Sequence, residues 1–86
     1  MSCYLLGHVE GIVNGLIVVA VPLWGINVGD HVSNRHDGEF HEVTDLMIGQ
    51  EKVSKVHGHS RFKIKADGLV NQLKIGDSLF LEKNVG

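Results

Sequence analysis

Eighty-six residues leave room for one small domain with a core of limited depth. Hydrophobic residues at 43% and charged residues at 21% exclude a disordered chain, and a formal net charge of −2 argues against a strongly basic nucleic-acid domain. The single cysteine, Cys3, excludes an internal disulfide.

Charge is uneven along the chain. Residues 1–50 carry six acids against Arg35 alone, a net of −5, whereas residues 51–86 carry seven Lys and Arg against four acids, a net of +3. Eleven glycines beside one proline fit short strands joined by tight turns, and five aromatics leave the core to Val, Ile and Leu. Residues 1–8 lack the basic residues of a secretory leader, so a cytoplasmic protein is the expectation.

Residues 4–13 read as a first strand with Leu5, Val9 and Val13 facing inward and Gly7 and Gly11 on the same face. Asn14-Gly15 is the dipeptide of a two-residue hairpin. The run 16–21 returns as a continuously apolar strand, which implies burial on both faces. Pro22 ends the pairing, and Leu23 and Trp24 follow. Residues 16–24 form the longest apolar run, too short to span a bilayer.

Asn27-Val28-Gly29-Asp30-His31-Val32-Ser33-Asn34 is an apolar residue, a Gly-Asp turn and a strand. It returns as Lys74-Ile75-Gly76-Asp77-Ser78-Leu79-Phe80-Leu81. Val28 and Ile75 are expected to anchor their turns, with each aspartate bonded to backbone two residues on. What precedes the two turns differs, so they read as two corners of one barrel rather than as a repeat. Asp37-Gly38 signals a hairpin into a strand over 39–48, whose apolar residues Phe40, Val43 and Leu46 demand a bulge or a change of buried face. Lys52 to Val56 follows, and then His57-Gly58-His59-Ser60 reads as a turn. Residues 61–66 alternate cleanly, Phe62, Ile64 and Ala66 on one face and Arg61, Lys63 and Lys65 on the other. Asp67-Gly68 turns again, and residues 69–73 form a loop or one helical turn before the last strand. Six or seven short strands with turns every 8–12 residues predict an all-β fold, a small closed or nearly closed antiparallel β-barrel filling residues 1–86 as one domain.

The order of pieces, with Val43-Thr44-Asp45-Leu46-Met47-Ile48-Gly49-Gln50-Glu51-Lys52-Val53 and Leu73-Lys74-Ile75-Gly76-Asp77-Ser78-Leu79, resembles the second-domain β-barrel of translation-factor GTPases of the elongation factor Tu type. The similarity runs from about residue 6 to 82. It implies a free-standing barrel that acts by binding RNA or a translation-related protein. The segment 19–26 is longer than the family's approach to its first Gly-Asp turn, and the chain has no Gly-x-x-x-x-Gly-Lys-Ser/Thr phosphate loop, so no nucleotide is expected.

The residues themselves point to three surfaces. Arg61, Lys63 and Lys65 lie at every second position of one strand, about 6.5–7 Å apart, which suits phosphates of a nucleic-acid strand; Lys52 and Lys55 extend the patch if their strand pairs nearby. Leu16, Val18, Val21, Leu23 and Trp24 form an apolar stretch that a protein partner or a second copy of the chain would cover. Among six histidines, His57 and His59 are the one close pair, and a metal there needs a third ligand from elsewhere. No nucleophile, paired carboxylate or cofactor motif emerges, so neither an enzyme nor a cofactor is expected.

Overall fold

The computed structural model describes residues 2–20, 25–35, 37–57 and 61–83. They form ten antiparallel strands and one 3-10 turn: β1 (Ser2–Val13), β2 (Leu16–Ala20), β3 (Ile26–Asn27), β4 (His31–Ser33), β5 (His41–Glu42), β6 (Asp45–Ile48), β7 (Glu51–Val53), β8 (Lys55–Val56), β9 (Phe62–Lys65), the 3-10 turn Val70–Gln72, and β10 (Ser78–Lys83). Eight strands make one sheet in the order β5-β4-β10-β1-β2-β9-β6-β7, and β3 and β8 pair by themselves. The all-β antiparallel expectation holds, with more and shorter strands than six or seven. Two of the extra ones arise where an expected strand breaks, at Val43 and Thr44 between β5 and β6 and at Ser54 between β7 and β8, and β3 falls just before the first Gly-Asp turn.

The first of these breaks shapes the molecule. In a flat sheet of this order, β5 and β6 would lie six strand spacings apart, about 29 Å. Glu42 and Asp45 are three residues apart in the chain, a reach of at most about 11 Å. The sheet therefore curls enough to bring β5 within that reach of β6. At the seam Val43 leaves the ladder and bonds elsewhere: its N–H donates to Asp30 O at 2.8 Å, and its carbonyl accepts from Gly29 N at 2.9 Å. Thr44 N then donates to Lys65 O at 2.9 Å and starts β6.

The curl encloses a core of sixteen residues, all Val, Ile or Leu except Phe62 and Ala66. Alternation on β1 departs from expectation. Its ladders slip between Leu5 and Gly7 against β10, and between Val9 and Gly11 against β2. Each slip is a bulge, which changes the face that follows. Leu6 is consequently buried while Leu5 is 37% exposed, and Val13 is 49% exposed rather than inward. The Asn14-Gly15 hairpin forms as expected, with φ of +52° and +77° at its two residues. The hairpin of β4 and β5 has a longer loop than Asp37-Gly38 alone would make, since its last ladder pair is Val32 opposite His41.

The two Gly-Asp turns close alike. Asn27 N donates to Asp30 Oδ2 at 2.9 Å and Asp30 N to Asn27 O at 3.1 Å; Lys74 N donates to Asp77 Oδ2 at 2.9 Å and Asp77 N to Lys74 O at 3.1 Å. Each aspartate thus reaches three residues back, not two ahead. Gly29 (φ +99°) and Gly76 (φ +94°) hold the third position of a type II turn. Val28 and Ile75, at the second position, point outward at 42% and 74% exposure. The anchors are instead Ile26 and Leu73, both buried just before the turn.

Beyond the turns the pairing repeats. Gly76 N donates to Val9 O, and Val9 N to Asp77 O, both at 2.8 Å, matching the bonds of Val43 with Gly29 and Asp30. The ladders then run Ser78 opposite His8 and Leu79 opposite Gly7 in one half, His31 opposite Glu42 and Val32 opposite His41 in the other. Finally β4 and β10 pair with each other, Ser33 facing Phe80, each the third residue after its aspartate. The two Gly-Asp turns and the ladder pairs beside them thus repeat one pattern, each turn bonded to a valine, Val43 in one case and Val9 in the other. The expectation against a repeat is corrected.

Candidate nucleic-acid interface

Strand β9 is held on both edges, by β2 and by β6. Phe62 and Ile64 are 1% and 0% exposed, and Ala66 just beyond is 1% exposed, so burial of these three turns Arg61, Lys63 and Lys65 to the outside. The cations therefore stand on a strand whose other face is fixed in the core. Register adds a fourth. Lys52 pairs with Met47, and Met47 pairs with Lys63, which makes one row across β7, β6 and β9. Lys52 and Lys63 are two strand spacings apart, about 10 Å.

Each cation has a different neighbourhood. Lys63 Nζ donates to Gly49 O at 3.4 Å, at the tip of the β6–β7 hairpin. Lys65 faces Asp45 in register. Arg61 makes a two-point ion pair with Glu10: Nε lies 2.6 Å from Oε1, and Nη2 donates to Oε2 at 3.1 Å. Its side chains are 66% and 40% exposed, so the pair is screened and contributes at most about 1 kcal/mol. Lys55 does not join the row. It sits on β8 opposite Asn27, in the two-stranded sheet.

Two acids share a row elsewhere: Cys3, Glu82, His31 and Glu42 are successive register partners across β1, β10, β4 and β5. Acids also stand beside the cations, Glu10 at Arg61 and Asp45 opposite Lys65. Among the described residues no group of three or more His, Cys, Asp or Glu side chains converges to hold a metal. His57 is exposed, and His59 lies outside the described residues.

Of the apolar stretch, Leu16 is half-buried, Val18 is 8% exposed, and Val21, Leu23 and Trp24 lie outside the described residues. Ile17 and Val19 fill the core, while Val18 faces outward between its register partners Gly11 and Lys63. The expected burial on both faces holds there, and little of β2 remains for a partner.

Two residues escaped the sequence reading. Glu10 was indistinguishable from any exposed strand residue, its one signal being the neighbouring Gly11 that closes the bulge. His41 has the sequence context of any strand histidine, yet it continues the inward row Tyr4, Leu81, Val32, His41 across four strands. Its Nε2 is buried without a hydrogen-bond partner, and its ring lies against Gly68, where an added Cβ would come within 3.3 Å of Nδ1.

No protein-family model matches the chain, and a search of curated proteins finds no match either.

Proposed function

We propose that the chain is a non-catalytic binding module, a small closed β-barrel similar to the second domain of translation-factor GTPases, whose outward β9 face contacts the phosphate backbone of RNA. Closure of the barrel is supported by the seam at Val43 and Thr44, the two residues that carry the chain from β5 to β6, Val43 bonding to Gly29 and Asp30 and Thr44 to Lys65.

One observation carries the RNA reading. Arg61, Lys63 and Lys65 project at alternate positions from a strand anchored by Phe62 and Ile64, with Lys52 beside them on the same face. Rigid backing matters because a lysine on a fixed strand loses only its own rotamer freedom on binding. The face has no aromatic platform for base stacking among the described residues, so contact is with phosphates and is not sequence-selective. Fluorescence anisotropy with a labelled single-stranded RNA of about twelve nucleotides, at about 20 mM salt, tests this. Binding in the micromolar range that fades as salt rises is expected. An anisotropy flat up to millimolar protein would overturn the reading.

A second reading, a protein-interaction or self-associating domain without nucleic acid, is favoured by the 74% exposure of Ile75 at the second Gly-Asp turn.

A further inference from the structure

Glu10 is the residue that β1 leaves unpaired in its ladder with β2. Val9 faces Val19 and Gly11 faces Val18, so Glu10 is the extra residue of the bulge. A bulge re-aims its side chain out of the regular ladder. Here the carboxylate reaches across 51 residues of sequence to Arg61 and takes both Nε and Nη2. That edge of a guanidinium is the fork that accepts two oxygens of a phosphate as readily as two of a carboxylate.

Three facts separate this pair from an ordinary surface contact. It occupies the one arginine of the β9 stripe, while Lys63 is spent on a neutral carbonyl and Lys65 only faces Asp45 in register. It contacts two donors of the guanidinium at once. And it is open to water, so the carboxylate can be exchanged without disturbing the core. We propose that Glu10 is a built-in competitor for the anion site of Arg61: it holds the guanidinium in the orientation a phosphate needs, and an RNA phosphate takes its place. The inference rests on the RNA reading above. It adds that the site is self-occupied, so that binding releases Glu10 to solvent.

The test is a double-mutant cycle in the same anisotropy assay, with wild type, Glu10→Gln, Arg61→Ala and the double variant, and with Lys63→Ala as a separate reporter of the stripe. Glu10→Gln is expected to bind the twelve-nucleotide RNA about threefold to tenfold tighter at low salt, because no carboxylate has to be displaced from Arg61. In the Arg61→Ala background the Glu10 change is expected to do nothing beyond the small uniform gain from one lost charge. Glu42→Gln, on β5, measures that uniform gain. Equal gains from Glu10→Gln and Glu42→Gln would overturn the competitor role, as would a gain that survives Arg61→Ala. Loss of binding in Lys63→Ala alongside such a result would leave the RNA reading standing without it. No binding by any variant would remove both. A second readout is the Arg61 Nε–H resonance: titration with inorganic phosphate is expected to shift it more in Glu10→Gln than in wild type, and no difference would count against the proposal.

Discussion

Ser33 and Phe80 face each other across β4 and β10, midway between the two Gly-Asp turns. Each lies three residues beyond an aspartate that closes a turn, and each turn is bonded to a valine from the other half, Val43 in one case and Val9 in the other. The two halves therefore hold one another. Opening either turn releases backbone hydrogen bonds on two strands, and the symmetry makes the consequences comparable at both ends.

The aspartates are the first place to measure this. Asp30→Ala and Asp77→Ala each remove the acceptor for a backbone N–H three residues back, a loss like that of a helix N-cap. Each is expected to cost about 1–2 kcal/mol. About 20 Å of β10 separates the level of one turn from that of the other, so the two losses should add in a double variant. Asn at either position keeps an acceptor and should recover about half. Urea titrations of the three alanine variants decide it: a cost below a few tenths at one turn and a large cost at the other would contradict the equivalence.

Gly29 and Gly76 give a cleaner comparison, because an added Cβ at either meets nothing within 4 Å. The whole penalty of Gly→Ala is then the backbone strain of φ +99° and +94°. About 1–2 kcal/mol is expected at each. Gly11 is the control: a Cβ there is equally free, and its φ is not positive. Gly11→Ala should be neutral or slightly stabilising, as read by the same urea titrations.

The sequence showed much of this arrangement and hid its symmetry. Alternation over residues 61–66 was legible because β9 is regular and buried on one side only, and it predicted the outward cations correctly. The repeat was hidden by unequal spacing: 34 residues separate Val9 from Val43, but 47 separate Asp30 from Asp77. No fixed period survives that. The bulges in β1 were hidden as well, since Leu5 and Leu6 are equally apolar and only the ladder with β10 decides which one turns inward. For the same reason Glu10 could not be paired with Arg61 from spacing alone.

Salt dependence separates the members of the stripe. Lys63→Ala and Lys65→Ala are each expected to flatten the slope of log K against log salt by about 0.7, one phosphate contact on a single strand. Lys52→Ala should do the same, through its place in the row with Met47 and Lys63. Lys55→Ala, on the other sheet, should leave the slope nearly unchanged. All four positions are at or near the surface, so thermal stability should move little. Should Lys55→Ala weaken binding as much as Lys63→Ala, the contact surface extends past β7, and the single-row geometry is wrong.

His41 tests the inside of the same sheet. A ring nitrogen buried without a partner costs free energy that an apolar side chain avoids. His41→Leu is expected to stabilise the protein by about 1 kcal/mol, a shift of about 4–8 °C in melting temperature for a domain of this size. A loss of similar size would mean that the imidazole packs against Gly68 too well to replace.

Ile75 and Val28 occupy equivalent turn positions, yet Ile75 is far more exposed. Val28 N donates to Ser54 O at 2.9 Å, which draws the end of β7 alongside the first turn and half covers it. The second turn is left as a bare apolar tip. An isoleucine that goes from this exposure to full burial gains about 1.5–3 kcal/mol, enough to support weak association at high concentration but not a stable dimer. Light scattering across a concentration series should therefore show a mass that rises gradually, and Ile75→Ser should remove most of the rise while leaving the melting temperature within about 2 °C, as a turn-tip change does. A tip that docks on a surface unlike itself gives a rise with no dimer plateau. A plateau at twice the monomer mass would point to a two-fold interface elsewhere, and a mass flat at the monomer value would leave Ile75 without a partner of its own kind.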